Sequence, residues 1–229
     1  HGTIFMPAPT PKQKLVQVEM FGGAFINIKL IGDTFDDAQT AAKLECDRLE
    51  KTFVPPFDDE KIIEGQATIG LEIIEQATSA IDYVFVPVGG GGLAAGLSSV
   101  FKMLSPNTKI IGVEPAGAPS MKTAIKENKN VRLESIEKFV DGAAVQQVGD
   151  LTFHICKENL DDMITVPEGK VCQTILDLYN KDAIVVEPAG ALTLSALEFY
   201  ADEIKGKNVV CIVSGSNNDI KVFARGDGY

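Results

Sequence analysis

Apolar residues fall into short β-rich runs separated by stretches where they recur every three or four positions. That alternation predicts an α/β protein with parallel strands. Thr3–Met6 reads as a strand. Pro11 opens a helix that runs through Met20, and Gly22 and Gly23 stop it. Ala24–Leu30 reads as a second strand, and Asp36–Leu49 as a helix with apolar Ala38, Ala41, Ala42 and Leu44 at near-helical spacing. Thr52–Val54 reads as a third, short strand. The prolines and acidic residues from Pro55 to Glu60 break both periodicities and read as a linker. Beyond them the pattern predicts a helix over Ala67–Ala77, a strand over Tyr83–Val88, a helix over Leu93–Leu104 and a strand over Lys109–Glu114. A looser region from Ala116 to Asp150 holds one helix, Ser120–Glu127. Asp162–Val166 reads as a strand, Pro167 opens a helix through Tyr179, Pro188 opens another through Ala201, and Val209–Val213 is an apolar strand. Lys221–Tyr229 continues no pattern and reads as a tail.

The chain has 229 residues, 45% of them hydrophobic, enough for one substantial core or for one domain plus part of another. A net charge of −11 argues against a nucleic-acid surface, which needs a basic patch. No apolar run is long enough to span a membrane, and His1–Pro7 lacks the basic head and cleavage pattern of a signal peptide. Cys46, Cys156, Cys172 and Cys211 are widely spaced, so neither a zinc site nor a disulfide framework is indicated. They read as free thiols in a reducing cytoplasm.

The candidate chemistry starts at Gly89, Gly90, Gly91 and Gly92, between an apolar strand and a helix. Such a loop lets backbone N–H groups converge on an anion, with the helix dipole adding to the attraction. Leu93-Ala-Ala follows where a nucleotide-binding Walker loop needs Lys and Ser or Thr. Part of a dinucleotide fingerprint is present, with Glu114 ending the next strand, so a nicotinamide-binding domain stays open, as does a ligand-free turn. Ser214 follows the last strand; it is either a helix N-cap or a hydroxyl aimed at a ligand, since ligands of open α/β sheets gather at the carboxyl ends of strands. A glycine loop and a hydroxyl would hold a small rigid cofactor at two points. Glu187 precedes a proline-opened helix, where a carboxylate is stabilised by the dipole. Its Glu-Pro-Ala-Gly context is echoed at Glu114–Gly117, and Gly65–Thr68 and Phe139–Val145 are further distinctive stretches.

Taken together, Pro87-Val-Gly-Gly-Gly-Gly-Leu93, Val186-Glu-Pro-Ala-Gly-Ala191 and Val213-Ser-Gly-Ser-Asn217 resemble the large domain of the fold-type-II pyridoxal-phosphate enzymes. Within that group they look like the threonine dehydratase (threonine ammonia-lyase) family, with serine racemase and serine dehydratase as neighbours. The opening Gly2–Lys12 is similar to the small domain of the same family, and the likeness runs to about Ile220. The resemblance implies a mostly parallel sheet flanked by helices, with part of a second, smaller α/β domain. Residues 1–55 would be a remnant of the small, substrate-side domain and 56–229 the large cofactor-binding domain.

The resemblance implies pyridoxal 5′-phosphate as cofactor. The amides of Gly89, Gly90, Gly91, Gly92 and Leu93 would hold its phosphate and Ser214 its ring nitrogen. Gly142 would lie beside the ring and Glu187 at the edge of the active site. Glu114, the Ala118 carbonyl and Ser120 match a cation site of relatives, with Ser120 where those have an acidic group; a monovalent or divalent cation, or none, follows. A neutral hydroxyl at the ring nitrogen leaves the ring a weaker electron sink than a carboxylate would, which suits elimination and disfavours transamination. The implied reaction converts L-threonine to 2-oxobutanoate and ammonia in a cytoplasmic homo-oligomer, with no nucleic-acid or membrane partner. L-serine dehydration or another β-elimination or β-replacement is the alternative within the fold, and a non-catalytic cofactor-binding or assembly fragment the alternative outside it. The family's Schiff-base lysine and its Ser-x-Gly-Asn-His loop lie upstream of anything matching Gly2, and its regulatory domain beyond anything matching Asn218. Lys122 and Lys181 are not expected to replace that lysine, because a reacting amine needs near-attack placement. The chain is therefore expected to carry the cofactor cup without the nucleophile and to be inactive by itself.

Overall fold

The structure is a computed structural model that describes residues 1–218. The tail predicted over Lys221–Tyr229 lies outside the described residues, as does the end of the predicted large domain. Two compact units are present, residues 1–54 with 217 and 218, and residues 55–216.

In the first unit, β1 (Gly2–Met6) and β2 (Ile26–Leu30) pair in parallel from Gly2 opposite Ile26 to Met6 opposite Leu30. They are joined by α1 (Lys12–Gly22) and followed by α2 (Phe35–Arg48). Thr34 and Asp37 start α2 with a reciprocal capping box: the Asp37 N–H donates to Thr34 Oγ1 at 3.2 Å and the Thr34 N–H to Asp37 Oδ2 at 3.0 Å. β2 begins two residues later than the pattern predicts, because Gly23–Phe25 form a 3-10 turn. The predicted strand over Thr52–Val54 is absent. Those residues stand between Glu50, at φ +52°, and the Pro55–Pro56 pair, and among the described residues no strand pairs with them. Leu44, one of the apolar residues at near-helical spacing along α2, is 66% exposed.

The second unit comprises α3 (Glu60–Gln76), β3 (Tyr83–Pro87), α4 (Gly92–Leu104), β4 (Lys109–Pro115), α5 (Ser120–Glu127), α6 (Asp150–Asn159), β5 (Asp162–Val166), α7 (Glu168–Asp177), α8 (Pro188–Ala196) and β6 (Val209–Cys211). The strands form one all-parallel sheet in the order β5-β4-β3-β6. A parallel sheet covered on both faces needs continuous apolar strands rather than alternating ones. All of β3 is buried, with Ile110, Ile111 and Val113 of β4, Leu97 and Phe101 of α4 and Leu192 of α8. Each such side chain contributes roughly 1.5–3 kcal/mol of burial.

α4 can lie close against α3 because Gly96 has no side chain. A Cβ there would collide with the Ile63 carbonyl and come within 2.7 Å of the Ala67 nitrogen. That packing sets the N-terminus of α4 at the carboxyl end of β3. Several ends differ from the pattern: α3 starts at Glu60, α7 ends in a π turn over Leu178–Asp182, and α8 gives way to a 3-10 turn over Leu197–Tyr200. α6 is not foreseen by the pattern at all. Among the described residues no helix is long and apolar enough to cross a membrane.

Candidate cofactor-binding site

β3 ends at Pro87, and the glycine run turns the chain from the sheet into α4. Gly91, the N-cap, sits at φ +96°, a conformation that L side chains rarely adopt. The loop is walled closely on its inner side. A Cβ at Gly91 would lie 2.8 Å from the Met121 methyl and 2.9 Å from Thr152 Oγ1, and a Cβ at Gly89 would lie 3.0 Å from Ala143 Cα. At Gly90 a Cβ would collide with the Phe57 ring. The Gly90 carbonyl accepts from Thr152 Oγ1 at 2.7 Å and from the Gly149 N–H at 3.3 Å. The Gly91 carbonyl accepts from the Ala95 N–H at 2.8 Å and lies 3.8 Å from Cys156 Sγ. The N–H groups of Gly89, Gly90, Gly91, Gly92 and Leu93 meet no acceptor among the described residues. Five free donors on side-chain-poor backbone, at the start of a 13-residue helix, suit a phosphate dianion.

The other predicted residues assemble next to this loop. Glu187 Oε1 would lie 3.5 Å from a Cβ at Gly142, and a Cβ at Gly215 would collide with that same oxygen. The Glu187 carboxylate therefore stands between Gly142 and Gly215, and the Glu187 N–H donates to the Gly215 carbonyl at 3.1 Å. Gly142 is tight on its other side too, where a Cβ would lie 2.9 Å from Ala189 Cβ. Ser214 is exposed just past β6, the strand next to β3; the approach is held by Thr193 Oγ1 on the Ile212 carbonyl at 2.9 Å and the Ile212 N–H on the Phe85 carbonyl at 3.1 Å. The glycine loop, Gly142, Glu187 and Ser214 thus share the carboxyl-end side of the sheet.

Glu114, Ala118 and Ser120 lie together at the start of α5, but two of them already hold partners. The wholly buried Glu114 carboxylate accepts the Met121 N–H at 2.6 Å and the Lys122 N–H at 2.9 Å. Burial pushes its carboxyl up to about 8, against the opposing pull of those two N–H groups. The Ser120 hydroxyl donates to the Val145 carbonyl. Among the described residues no group of three or more His, Cys, Asp and Glu side chains could hold a metal ion. Lys122 is exposed on α5, and Lys181 is exposed and paired with Asp177 at 3.3 Å.

Four contributors escaped the sequence reading. Phe57, Thr152 and Cys156 border the glycine loop and Asp58 holds the start of α6 behind it; Phe57 and Asp58 come from the stretch read as a linker. Asp59 caps α3 through the Lys61 and Ile62 N–H groups, at 2.9 and 3.3 Å. Asp58 caps α6, accepting the Asp150 N–H at 3.0 Å and the Thr152 N–H at 3.1 Å. The Asp59 cap was legible as an acidic residue ahead of a helical run. The Asp58 cap joins residues 92 positions apart and has no local signal.

The model of the pyridoxal-phosphate dependent enzyme family matches residues 1–215. An L-threonine dehydratase (biosynthetic) of Halalkalibacterium halodurans is 55% identical over 219 residues, which are 96% of this chain and 53% of that protein. Its Bacillus subtilis counterpart is 52% identical over 220 residues, covering 96% of this chain and 52% of that protein. The chain spans about half the length of the curated relatives it matches. Among solved structures, the processed form of threonine deaminase isoform 2 from Solanum lycopersicum superposes with a TM-score of 0.88 at 40% identity, over 98% of this chain and 65% of that one. With nearly its whole described length inside the family model, the chain belongs to the pyridoxal-phosphate dependent enzymes.

Proposed function

We propose that the chain is the cofactor-holding part of an L-threonine dehydratase that forms 2-oxobutanoate and ammonia. The observation that carries the reading is the set of five unpaired N–H groups from Gly89 to Leu93 at the start of α4. The relatives that are 52–55% identical and named L-threonine dehydratase supply the substrate. In this reading those amides bind the phosphate of pyridoxal 5′-phosphate and the Ser214 hydroxyl faces its ring nitrogen. Gly142 leaves room for the ring, since its surroundings already crowd a Cβ. Glu187 supplies a carboxylate at the edge of the same space. When bound, the cofactor supplies an electron sink that acidifies the α-hydrogen of an amino acid. A neutral hydroxyl at Ser214 keeps that sink moderate, which favours loss of the β-hydroxyl over transamination. The amine that bonds the cofactor is not assigned to a lysine of this chain. A cation at Glu114, Ala118 and Ser120 would have to share oxygens that already hold hydrogen bonds. The four unpaired cysteines are in keeping with a cytoplasmic setting, and the exposed Met20, Phe21 and Phe25 with assembly into a homo-oligomer.

A chimera tests the reading. This chain would replace the matching 219 residues of the Halalkalibacterium halodurans dehydratase. The chimera is expected to form 2-oxobutanoate from L-threonine. A folded chimera that deaminates only L-serine, or neither amino acid, contradicts the proposal.

A further inference from the structure

The geometry points to Thr152 as a positioning residue for the cofactor phosphate: from α6 it fixes the peptide planes of the glycine loop so that their N–H groups face the ligand. The inference rests on the reading of Gly89–Leu93 as the phosphate cup. A run of four glycines has more backbone freedom than any other sequence, and each of its peptide units can turn over at little steric cost. A loop left free to do so would lose that freedom on binding, and the affinity would fall accordingly. In a planar trans peptide the C=O and the following N–H point in opposite directions. Holding one therefore aims the other.

The Gly90 carbonyl is held from the α6 side by Thr152 Oγ1 at 2.7 Å and the Gly149 N–H at 3.3 Å, so the Gly91 N–H is turned away from α6. The Gly91 carbonyl is held by the Ala95 N–H at 2.8 Å, with Cys156 Sγ at 3.8 Å, so the Gly92 N–H is turned the same way. The fit between Thr152 and the loop is mutual. A Cβ on Gly91 would lie 2.9 Å from both Cβ and Oγ1 of Thr152, so only glycine at this position lets the hydroxyl come close enough to bond. Thr152 is wholly buried, and its own place is fixed by Asp58, which accepts its N–H at 3.1 Å and that of Asp150 at 3.0 Å. Its hydroxyl also lies 3.2 Å from the Gly149 carbonyl, but the shorter approach to Gly90 takes the single hydrogen.

The test measures pyridoxal phosphate affinity of the whole chain by absorbance titration, together with the 31P resonance of the bound phosphate. Thr152→Val keeps the side-chain shape and removes the hydroxyl. It should weaken binding about tenfold, the worth of one well-made hydrogen bond, and shift the 31P resonance. Thr152→Ser restores the hydroxyl and should bind within about twofold of the unmodified chain. Thr108→Val is the structural control: it removes an equivalent bond, Thr108 Oγ1 to the Ile81 carbonyl at 2.8 Å, at the opposite end of the sheet, and should leave affinity and resonance unchanged. Asp58→Asn loosens the same device one step further out and should cost about threefold. It carries the test if Thr152→Val does not fold. Unchanged binding in Thr152→Val, or in Asp58→Asn where Thr152→Val is unfolded, overturns the inference. So does an equal loss in Thr152→Ser or Thr108→Val, which would reduce Thr152 to a stability role. A chain that takes up no pyridoxal phosphate in its unmodified form contradicts the functional reading itself, not the role of Thr152 within it.

Discussion

The two units of this chain use the same parts, parallel strands joined through helices, to different depths. In residues 55–216 the central strand β3 is buried from end to end. In residues 1–54 only Asp36 and Ala38 are buried, while Met20, Phe21 and Phe25 are 64%, 81% and 68% exposed. A two-stranded ribbon is marginal in water without more strands or helices to cover its apolar face, whereas a four-stranded sheet packed on both sides can hold its own shape. The contrast shows where a rigid binding site can be built. Backbone amides bind an anion well only if they are in place beforehand, and the glycine loop is braced by α4, α6 and Phe57 within the well-packed unit.

The largest effect should be seen in amide hydrogen exchange. The amides of β3 and β4 should exchange at least about 100-fold more slowly than those of β1 and β2, since protection tracks the local cost of opening. Equal protection in both sheets would remove the contrast. Substituting single glycines should come next. Gly91→Ala places a side chain at φ +96° and within 2.9 Å of Thr152, and should cost about 2–4 kcal/mol in urea unfolding. Gly65→Ala, on α3 with nothing within 4 Å of the new Cβ, should instead stabilise by about 0.5–1 kcal/mol. The same sign at both positions would contradict the packing described. Third, Thr34→Ala breaks the capping box of α2 and should destabilise the first unit by about 1 kcal/mol while leaving pyridoxal phosphate affinity alone.

The smallest effect concerns the thiols. Burial pushes the Cys211 thiol up to about 11 and raises that of Cys156 further, with Glu114 adding to the rise. At pH 8 about one Cys211 in a thousand is thiolate, so iodoacetamide should label the half-exposed Cys46 first and Cys156 last. Because the folded thiol keeps its proton longer than the unfolded one, the Cys211 contribution to stability is complete below pH 9 and is lost as pH rises toward 11. A Cys211→Ser chain should show a flatter decline over that window in thermal unfolding.

The legible parts of this protein are those fixed by neighbours in sequence. The interior strands β3 and β4 read directly as apolar runs, the edge strand β5 was legible as well, and Ser120 and Glu127 bound α5 as the pattern predicts. The glycine loop was visible because four glycines in a row serve little purpose besides close backbone approach. Parts that depend on distant partners were not visible. The apolar residues Leu151, Phe153 and Ile155 alternate as a strand would, yet the segment is helical, with Thr152, Phe153 and Cys156 buried and its first turn capped by Asp58. Phe57 and Asp58 read as linker because the Phe57 ring meets Gly90 and the Asp58 carboxylate caps α6, both far away in sequence. Thr52–Val54 has β-forming side chains but no strand beside it, and a strand exists only through its ladder.

In the proposed function the glycine loop is a formed phosphate cup that holds the cofactor without a bond to this chain. Its direct test is titration of the purified chain with pyridoxal phosphate, followed by borohydride reduction and intact mass, beside Gly91→Ala. Saturable one-to-one binding with no stoichiometric gain in mass, lost in Gly91→Ala, is the expected result. Absence of saturable binding, equal binding by Gly91→Ala, or a one-equivalent adduct on a single lysine would contradict it.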